Sequence, residues 1–525
     1  THSSMKICIL TAGKGTRMWP YNEKINKALL PVKNKAIISH LIEQFQSNDE
    51  FIIGLGYLGD QVKDYLLTAH PKTKFTFVRI KNYDGKFSGP GHSLLKCKKF
   101  LNEPFVFLPC DCYFPKKIRF SKKYNLIGIS TVKTSERNQF CNALIKKNLV
   151  QDIRDKEKVN KNYFAFTGFL YVKDHSIFWN GLKNPVLVKN EHQISDGLKK
   201  LVANSKLSAK KIQWYDIGDT KKFHEIQKFF PSSSISKIDE FIYFTNNSVI
   251  KFFSNPNIID KRIKKTKIKP KIFPNVKKSG KNFYTYPYWM GETFYSEGDP
   301  LAFKKLLTWL ETTVWSRSKI KDSEFKNLCK NFYQEKTMSR ISKFSKENTH
   351  YKFPNKINGI KVPNLQKLLK LIPWSELFDG IPSFIHGDLQ FQNVLLNKKL
   401  NKFLLIDWRQ DFAGNIRVGD LYYDLAKLYG GILMNYDLII KDDFLYRNKS
   451  NNVSVSFKKW KNSSKYKKIF DEYILQNGFD LQKIHLLVGI IYLNMAALHH
   501  APFNYALIAF GMFIISEVLN EKNIL

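Results

Sequence analysis

Two glycines and three basic residues near the start of the chain have the spacing to grip a polyphosphate. In Leu10–Val32, LTAGKGTRMWPYNEKINKALLPV, Gly13 and Gly15 lie in a loop directly after an apolar strand, Lys6–Leu10. Glycine lets a backbone come close to a ligand, and bare N–H groups at a strand-to-helix turn attract phosphate. Lys14 and Arg17 follow, and Lys27 stands just ahead of the apolar run Ala28–Val32. Such cations add charge-assisted contacts to a polyanion. The loop is not a Walker loop, because the four-residue gap and the terminal GK[ST] are missing.

Acids with the spacing to work beside phosphate occur in both halves. Mg²⁺ prefers carboxylates plus phosphate oxygens. Asp111 follows the apolar strand Phe105–Pro109, and a second acid, Asp216, occurs in the string WYDIGDT with Asp219 as a bystander. In the C-terminal half the string FIHGDLQFQNVL (384–395) holds Asp388 and, five residues on, Asn393. Asp407 comes fourteen residues after Asn393, at the end of the apolar stretch Phe403–Ile406. Phosphoryl transfer to an alcohol needs a carboxylate to orient the hydroxyl and take its proton, and oxygen ligands to fix Mg²⁺ on the triphosphate. Asp388 and Asn393 fit on one loop, and Asp407 can supply the metal carboxylate. Taken singly, an Asp after a strand is more often a turn residue or a helix cap.

These residues need elements to hold them. From Lys6 to about Phe230 strand and helix alternate: strands at Phe51–Leu55, Phe75–Ile80, Phe105–Pro109, Leu126–Val132, Ala143–Lys146 and Phe166–Val172, helices at Ile37–Phe45, Gln61–Leu67, Ser93–Phe100 and Ser195–Val202. That alternation predicts an open α/β sheet with ligands at the carboxyl ends of its strands. The Ser-rich segment Ser232–Ser236 after Pro231 marks a change of pattern and a domain boundary. Beyond it, Phe241–Thr245 and Val249–Phe253 flank Asn246-Asn247-Ser248, a hairpin signal, and Lys271–Val276 and Asn282–Trp289 read as β-like. From Pro300 helices dominate, at Leu301–Trp315, Ser323–Tyr333, Leu365–Leu371, Leu421–Leu428 and two near the C-terminus.

The strings themselves carry resemblances. AGKGTRMWP followed by KALLPV closely resembles the opening of the sugar-nucleotidyltransferase family, including the phosphocholine cytidylyltransferase-like members. The resemblance implies a Rossmann-like sheet domain over 5–230. In it Ala12, Gly13, Lys14, Gly15, Thr16 and Arg17 wrap a nucleoside triphosphate, Lys27 contacts the phosphates of the reacting groups, and Asp111 and Asp216 bind the metal. Gly89-Pro90-Gly91-His92-Ser93 resembles the segment beside the base, which puts Gly91 there. Tyr163–Gly168 resembles the substrate-side segment. His92 has two readings, a ligand contact or a structural role at a helix start.

The Asp388/Asn393/Asp407 set, with Gly419-Asp420 and Asp424-Leu425-Ala426, resembles the choline kinase and aminoglycoside phosphotransferase superfamily. It implies a two-lobed, protein-kinase-like α+β domain over 237–525, with Asp388 as catalytic base, Asn393 and Asp407 on Mg²⁺, and Asp424 tying the loop in place. Val249-Ile250-Lys251-Phe252 resembles the strand whose lysine contacts ATP phosphates, and Trp289–Glu292 the adenine-contacting hinge. Two departures bear on substrate choice: Gln390 stands where many relatives carry His, and Arg409 where an acid or glycine is common.

Composition bounds the rest. The chain has 525 residues, too many for one core, and 43% apolar residues, enough to fill two or more. The formal charge of +40 (85 basic minus 45 acidic) suits anionic ligands; because the lysines are scattered and no nucleic-acid motif accompanies them, a solvated lysine surface is the favoured reading. Six cysteines form no disulfide framework, which fits a reduced, cytoplasmic protein. Thr1–Ser4 ahead of Met5 read as vector-derived, with no signal peptide after them. Leu486–Leu498 and Phe503–Leu519 are apolar but short of a span and broken by His499-His500-Ala501-Pro502, so two buried helices are expected rather than a membrane span.

The expectation is a bifunctional enzyme using Mg²⁺ at both sites. ATP phosphorylates a small alcohol (an amino alcohol, polyol or similar), and CMP passes from CTP to that phosphate, giving a CDP-alcohol for surface glycan or lipid. The alternatives are a sugar kinase joined to a sugar-1-phosphate uridylyl- or guanylyltransferase, and a regulatory protein with an inactive kinase-like half. No nucleic-acid partner is expected, and the sequence leaves the oligomeric state open.

Overall fold

The computed structural model describes residues 3–233 and 237–525; Thr1-His2 and Ser234–Ser236, the latter within the expected boundary, lie outside them. Contacts divide the chain into two compact units. The first runs from the N-terminus through Ser232 and takes in Ile238–Ser254 and Lys278–Thr285. The second holds Ser233–Lys237, Asn255–Lys277 and Tyr286–Leu525.

The first unit is built on a nine-stranded sheet: β1 (Lys6–Leu10), β2 (Glu50–Leu55), β3 (Lys74–Arg79), β4 (Phe105–Pro109), β5 (Asn125–Ser130), β6 (Cys141–Lys146), β7 (Leu149–Asp155), β8 (Tyr163–Val172) and β9 (Leu207–Lys211). Its spatial order is β3-β2-β1-β4-β8-β5-β9-β7-β6, with β3, β2, β1 and β4 parallel and β8 antiparallel to both β4 and β5. Strand alternation sends Ile7 and Ile9 of β1, with Val106 and Leu108 of β4, into one core, and Cys8, Leu10, Phe105 and Phe107 into the other. Helices α1 (Ile37–Ile42) and α2 (Gly59–Ala69) cover the first face. Helices α3 (Pro90–Cys97), α4 (His175–Leu182) and α5 (Ser195–Asn204) cover the second, and α6 (Thr220–Phe229) returns to the first.

The parallel register is what positions chemistry. Leu10 stands opposite Pro109, so the glycine loop after β1 and Asp111 after β4 leave the sheet at the same edge.

A second sheet of this unit comprises β10 (Glu240–Phe244), β11 (Ser248–Phe253), β12 (Lys277–Gly280) and β13 (Phe283–Pro287), in the order β10-β11-β13-β12. The hairpin expected around Asn246-Asn247-Ser248 forms. Its strands cluster with the first unit because Phe241, Tyr243, Ile250, Phe252 and Phe283 enter the same core as Tyr65, whose ring meets Tyr243 at 4.9 Å. Lys271–Val276, expected as β-like, is instead irregular, and the strand begins at Lys277. Pro270 directly before that stretch and Pro274 within it withhold ladder donors.

The second unit begins with α7 (Pro256–Ile268), a helix the sequence reading passed over because it is rich in Lys and Arg; its start is signalled by Asn255, whose side chain caps Asn257, and by Pro256. A small sheet follows, β14 (Glu292–Thr293), β15 (Val394–Asn397) and β16 (Lys402–Leu405), with β14 drawn from the stretch read as a hinge. Helices α8 (Pro300–Trp309), α9 (Asp322–Cys329), α10 (Lys336–Glu347), α11 (Leu421–Leu433), α12 (Ser463–Gln476), α13 (Leu481–Ala496) and α14 (Phe503–Glu521) make the bulk. A hairpin, β17 (Phe444–Lys449) and β18 (Asn452–Phe457), was not foreseen, although Val453 and Val455 alternate inward as a half-buried strand should. Helix α14 has the length and hydropathy of a membrane span, and 72% of its apolar window is buried inside the protein. It meets α13 at glycines, where a Cβ on Gly511 would lie 2.8 Å from the Gly489 carbonyl.

Asn26 fixes the turn that carries Lys27. Its side-chain N–H groups donate to the carbonyls of Thr11 (3.0 Å) and Tyr57 (2.8 Å), its carbonyl oxygen accepts from Ala28 N–H, and it is 1% exposed. Asn26→Ala leaves these groups buried and unpaired, and a loss of ~2–3 kcal/mol is expected in urea unfolding. A change within experimental error would show that the turn holds itself.

Candidate active sites

A cavity of ≈ 460 Å³ opens at the carboxyl edge of β1 and β4. Its wall includes the whole loop Ala12–Arg17 together with Lys27, Asp111 and Asp216. Gly15 is in the left-handed region (φ 62°), and a Cβ there would lie 3.2 Å from Lys27 Cδ, so the loop passes directly over the lysine stem. Lys14, Thr16 and Arg17 are exposed. Lys14 is held by Asp84 at 2.7 Å.

Lys27 Nζ lies 3.3 Å from Asp111 Oδ2. The Asp111 charge holds the Lys27 ammonium above the ordinary lysine pKa. Burial works to raise the Asp111 pKa, and Lys27 overrides it and leaves it below the usual carboxylate value. Asp216 arrives through a two-stranded ladder in which Cys112–Tyr113 pairs with Tyr215–Asp216, and Ile217 N–H donates to the Asp111 carbonyl at 2.8 Å. Burial and the neighbouring Asp111 raise the Asp216 pKa, against Lys222, whose Nζ lies 2.7 Å from Asp216 Oδ2. Two carboxylates crowded enough to repel one another, beside the glycine loop Ala12–Arg17, are a donor set that suits Mg²⁺. Asp219, the bystander acid, caps α6 by accepting from Lys222 N–H at 2.8 Å.

Gly91 is not among the residues that line the cavity. It lies under Gln193, whose carbonyl would be 2.6 Å from a Cβ at that position, and its own N–H donates to His192 O at 2.8 Å. His92 Nε2 is buried with no hydrogen-bond partner among the described residues. Phe166, Thr167 and Gly168, at the end of the segment read as substrate-side, do reach the cavity.

The sequence reading missed Asp155, Lys156, Glu191, Gln193 and Trp214, all on the wall. They sit on strand ends and connections far apart in the chain, with no shared spacing to signal them. Asp155 accepts from Ser195 Oγ at 2.7 Å, and Trp214 Nε1 is buried without an acceptor among the described residues. Lys222 was also missed; its place one turn into α6, just past Asp216, was the available signal.

In the second unit the stretch His386–Asn393 is a closed loop. The Asp424 carboxylate accepts from His386 N–H and Gly387 N–H, each at 2.8 Å, and from Trp315 Nε1 at 2.9 Å. Asp388 N–H donates to His386 Nδ1 (3.0 Å), which puts the ring proton on Nε2, 2.7 Å from Ile406 O. Burial pulls the His386 pKa down to about 4 and keeps the ring neutral. Asn393 Nδ2 donates to Asp388 O (2.8 Å) and Oδ2 (3.3 Å), and Ile406 N–H donates to Asn393 O. The loop thus carries Asp388 and Asn393 and is stitched to the residue before Asp407.

Asp407 itself has φ 50°, a left-handed backbone at a non-glycine residue. Asp388 and Asn393 on the tied loop, with Asp407 on the segment stitched to it, are a donor set that also suits Mg²⁺ on a triphosphate. Burial works to raise the Asp388 pKa, and Lys427, 3.1 Å from Oδ1, leads the charges that leave it lowered. Gln390, a departure from the resemblance, is 4% exposed and accepts from Gln392 Nε2. Lys251 lies in the first unit on β11, 3% exposed, with Nζ 3.2 Å from Glu240 Oε1. Among the described residues no cluster of three His, Cys, Asp or Glu forms, and the six cysteines are free thiols.

Asp216 and Asp111 respond oppositely to acid. A raised carboxylate pKa adds stability as pH falls through it; a lowered one loses stability as pH falls through it. Asp216 therefore protonates first, while Asp111 is still ionised. Mg²⁺-dependent binding of a non-hydrolysable nucleoside triphosphate analogue, followed by calorimetry, should weaken as pH drops from neutral toward the carboxylate range, and Asp216→Asn should flatten that slope. An equal slope in the variant would remove Asp216 from the metal site.

Residues 6–233 match the sequence profile of the nucleotidyl transferase family. A bifunctional protein GlmU of Methanococcus maripaludis is 28% identical over 263 residues, 47% of this chain and 60% of that protein. The GlmU of Methanocaldococcus jannaschii is 27% identical over 229 residues, 43% and 54% of the two chains. The chain thus spans little more than half the length of these relatives. A probable glucose-1-phosphate cytidylyltransferase of Bacillus subtilis is 42% identical over 65 residues, 12% of this chain and 26% of that one. Among solved structures, a putative glucose-1-phosphate thymidylyltransferase from Bacillus anthracis is 23% identical, with TM-score 0.37 over 45% of this chain and 98% of that one. The N-terminal part of this protein is a nucleotidyl transferase domain.

Proposed function

We propose that the chain performs two consecutive transfers: ATP-dependent phosphorylation of a small alcohol on the His386–Asp407 loops, then transfer of a nucleotidyl group onto the new phosphate in the N-terminal domain. The observation that carries the reading is the pairing, in one chain, of the Lys27/Asp111/Asp216 cavity with the tied Asp388/Asn393 loop.

In the first transfer Asp388 orients the alcohol and takes its proton as the oxygen attacks the γ-phosphorus; the bond to the β-phosphate oxygen breaks and ADP leaves. A low pKa suits that role, because the loose transition state asks for orientation before basicity. Asn393 and Asp407 would hold Mg²⁺, which neutralises charge on the triphosphate. Neutral His386 and the Asp424 carboxyl, which accepts the loop N–H groups, keep the loop rigid.

In the second transfer the phosphate oxygen attacks the α-phosphorus of the nucleoside triphosphate, a new P–O–P bridge forms and pyrophosphate departs. The loop Ala12–Arg17 supplies N–H groups and cations to the triphosphate. Lys27 stands between that loop and Asp111, where it can meet both anionic partners. Asp111 and Asp216 would hold Mg²⁺, which supplies charge neutralisation where the two anions meet.

CTP is the nucleotide of this reading, supported by the resemblance to cytidylyltransferases and by the name of the Bacillus subtilis relative. The names of that protein and of a UTP–glucose-1-phosphate uridylyltransferase favour a second reading, a sugar kinase joined to a sugar-1-phosphate transferase.

The two sites are separable by mutation. Asp388→Asn should lower ATP-dependent phosphorylation by ~10³-fold while pyrophosphate release from CTP and the supplied alcohol phosphate persists, and Asp111→Asn should do the reverse. Loss of both steps from either change would refute the assignment of separate sites.

A further inference from the structure

Positive charge gathers around Asp388 beyond what binding Mg²⁺ and ATP on the loop requires. Lys427 of α11 holds Asp388 Oδ1 at 3.1 Å. Lys336, at the start of α10, lies 3.7 Å from the Phe332 ring centroid and 5.6 Å from that of Tyr423, and Lys427 lies 5.8 Å from the same Tyr423 centroid. The Arg409 guanidinium sits 4.8 Å from Phe332. Phe332 and Tyr423 pack edge to face at 4.7 Å, so three cations from three separate segments converge on one aromatic pair beside the catalytic acid.

The acids nearby in sequence are already engaged. Asp411 is 3.0 Å from Lys261, and Asp424 is taken up by the loop N–H groups and Trp315. Among the described residues no carboxylate forms an ion pair with Lys336. Burial first, then the Arg409, Arg340 and Lys427 charges, lower the Lys336 pKa well below the ordinary lysine value, with Asp388 acting the other way, so an added anion would favour the ammonium form.

We propose that the alcohol phosphorylated here carries an anionic group, a carboxylate, phosphate or sulfate, which Lys336 and Arg409 bind beside Asp388 and Lys427. The proposal rests on the kinase reading of the loop. A cationic alcohol such as choline would meet like charge. It would also find the faces of Phe332 and Tyr423, the rings that could cage a quaternary ammonium, already taken by the protein's own cations. The cluster belongs to the acceptor rather than to ATP, because Lys427 grips Asp388, the group that faces the attacking hydroxyl, while Asn393 and Asp407 serve the metal.

The test is ADP release by the full chain with Mg²⁺ and ATP, over alcohols that differ in charge: glycerate, gluconate and glycerol phosphate against glycerol, glucose and choline. The anionic members should have kcat/KM higher by at least about tenfold. Lys336→Gln should raise KM for the anionic alcohol by about tenfold and leave KM for ATP unchanged, with Lys336→Arg restoring it. Arg409→Gln, which should act in the same direction, guards against a folding defect in the Lys336 variant, and thermal melting checks both. Preference for a neutral or cationic alcohol, or a shift in KM for ATP instead, overturns the proposal and leaves the kinase reading standing. No ADP release with any alcohol overturns both.

Discussion

Three candidate site carboxylates of this protein, Asp111, Asp216 and Asp388, each lie partly buried against a lysine. Asp111 has Lys27, 84 residues away; Asp216 has Lys222; Asp388 has Lys427. A lone carboxylate in such surroundings would take up a proton and lose its affinity for a metal or a hydroxyl. At Asp111 and Asp388 the lysine leaves the carboxyl pKa lowered without a bound ligand, whereas at Asp216 burial and Asp111 outweigh Lys222. The same lysine can turn toward a phosphate when one arrives, because an ammonium on a flexible stem changes partners easily. Charge that a site needs for catalysis is in this way made tolerable to the fold.

The two units meet that requirement through different scaffolds. In the first, parallel strands do the work: the pairing of Leu10 with Pro109 brings the glycine loop and Asp111 to one edge, and the short ladder at Cys112–Tyr113 adds Asp216. In the second, hydrogen bonds tie an irregular loop. Asp424 accepts the two N–H groups at its start, and His386 clamps Asp388 on one side and Ile406 on the other. A sheet edge needs little help to stay in place, whereas a loop this irregular needs every N–H accounted for.

Much of this was legible in the chain. The strand Lys6–Leu10 forms over the residues expected of it, because an apolar run ending in glycines has few other outcomes. Helix α7 was not legible, since its lysines and arginines hid the apolar face that Ile259 presents to the core. Lys271–Val276 read as strand on composition, but Pro270 before it and Pro274 within it withhold ladder donors, and no strand forms. The cavity wall at Asp155, Glu191, Gln193 and Trp214 had no signal, because those residues come together only when β7, α5 and the approach to Asp216 fold around the sheet edge.

The sequence by itself determined which residue types are suited to the chemistry and in what local spacing: the glycine loop with its cations, the acids at strand ends, and the Asp388-to-Asn393 interval. Those are short-range facts, set by the conformations a few adjacent residues permit. Only the tertiary structure decided which lysine answers which acid, that Tyr243 and Phe252 join the core around Tyr65, and that Lys336, Arg409 and Lys427 converge beside Asp388. Coulomb forces and packing act through space, so a pairing between residues dozens of positions apart is set by the fold and leaves no trace in local spacing.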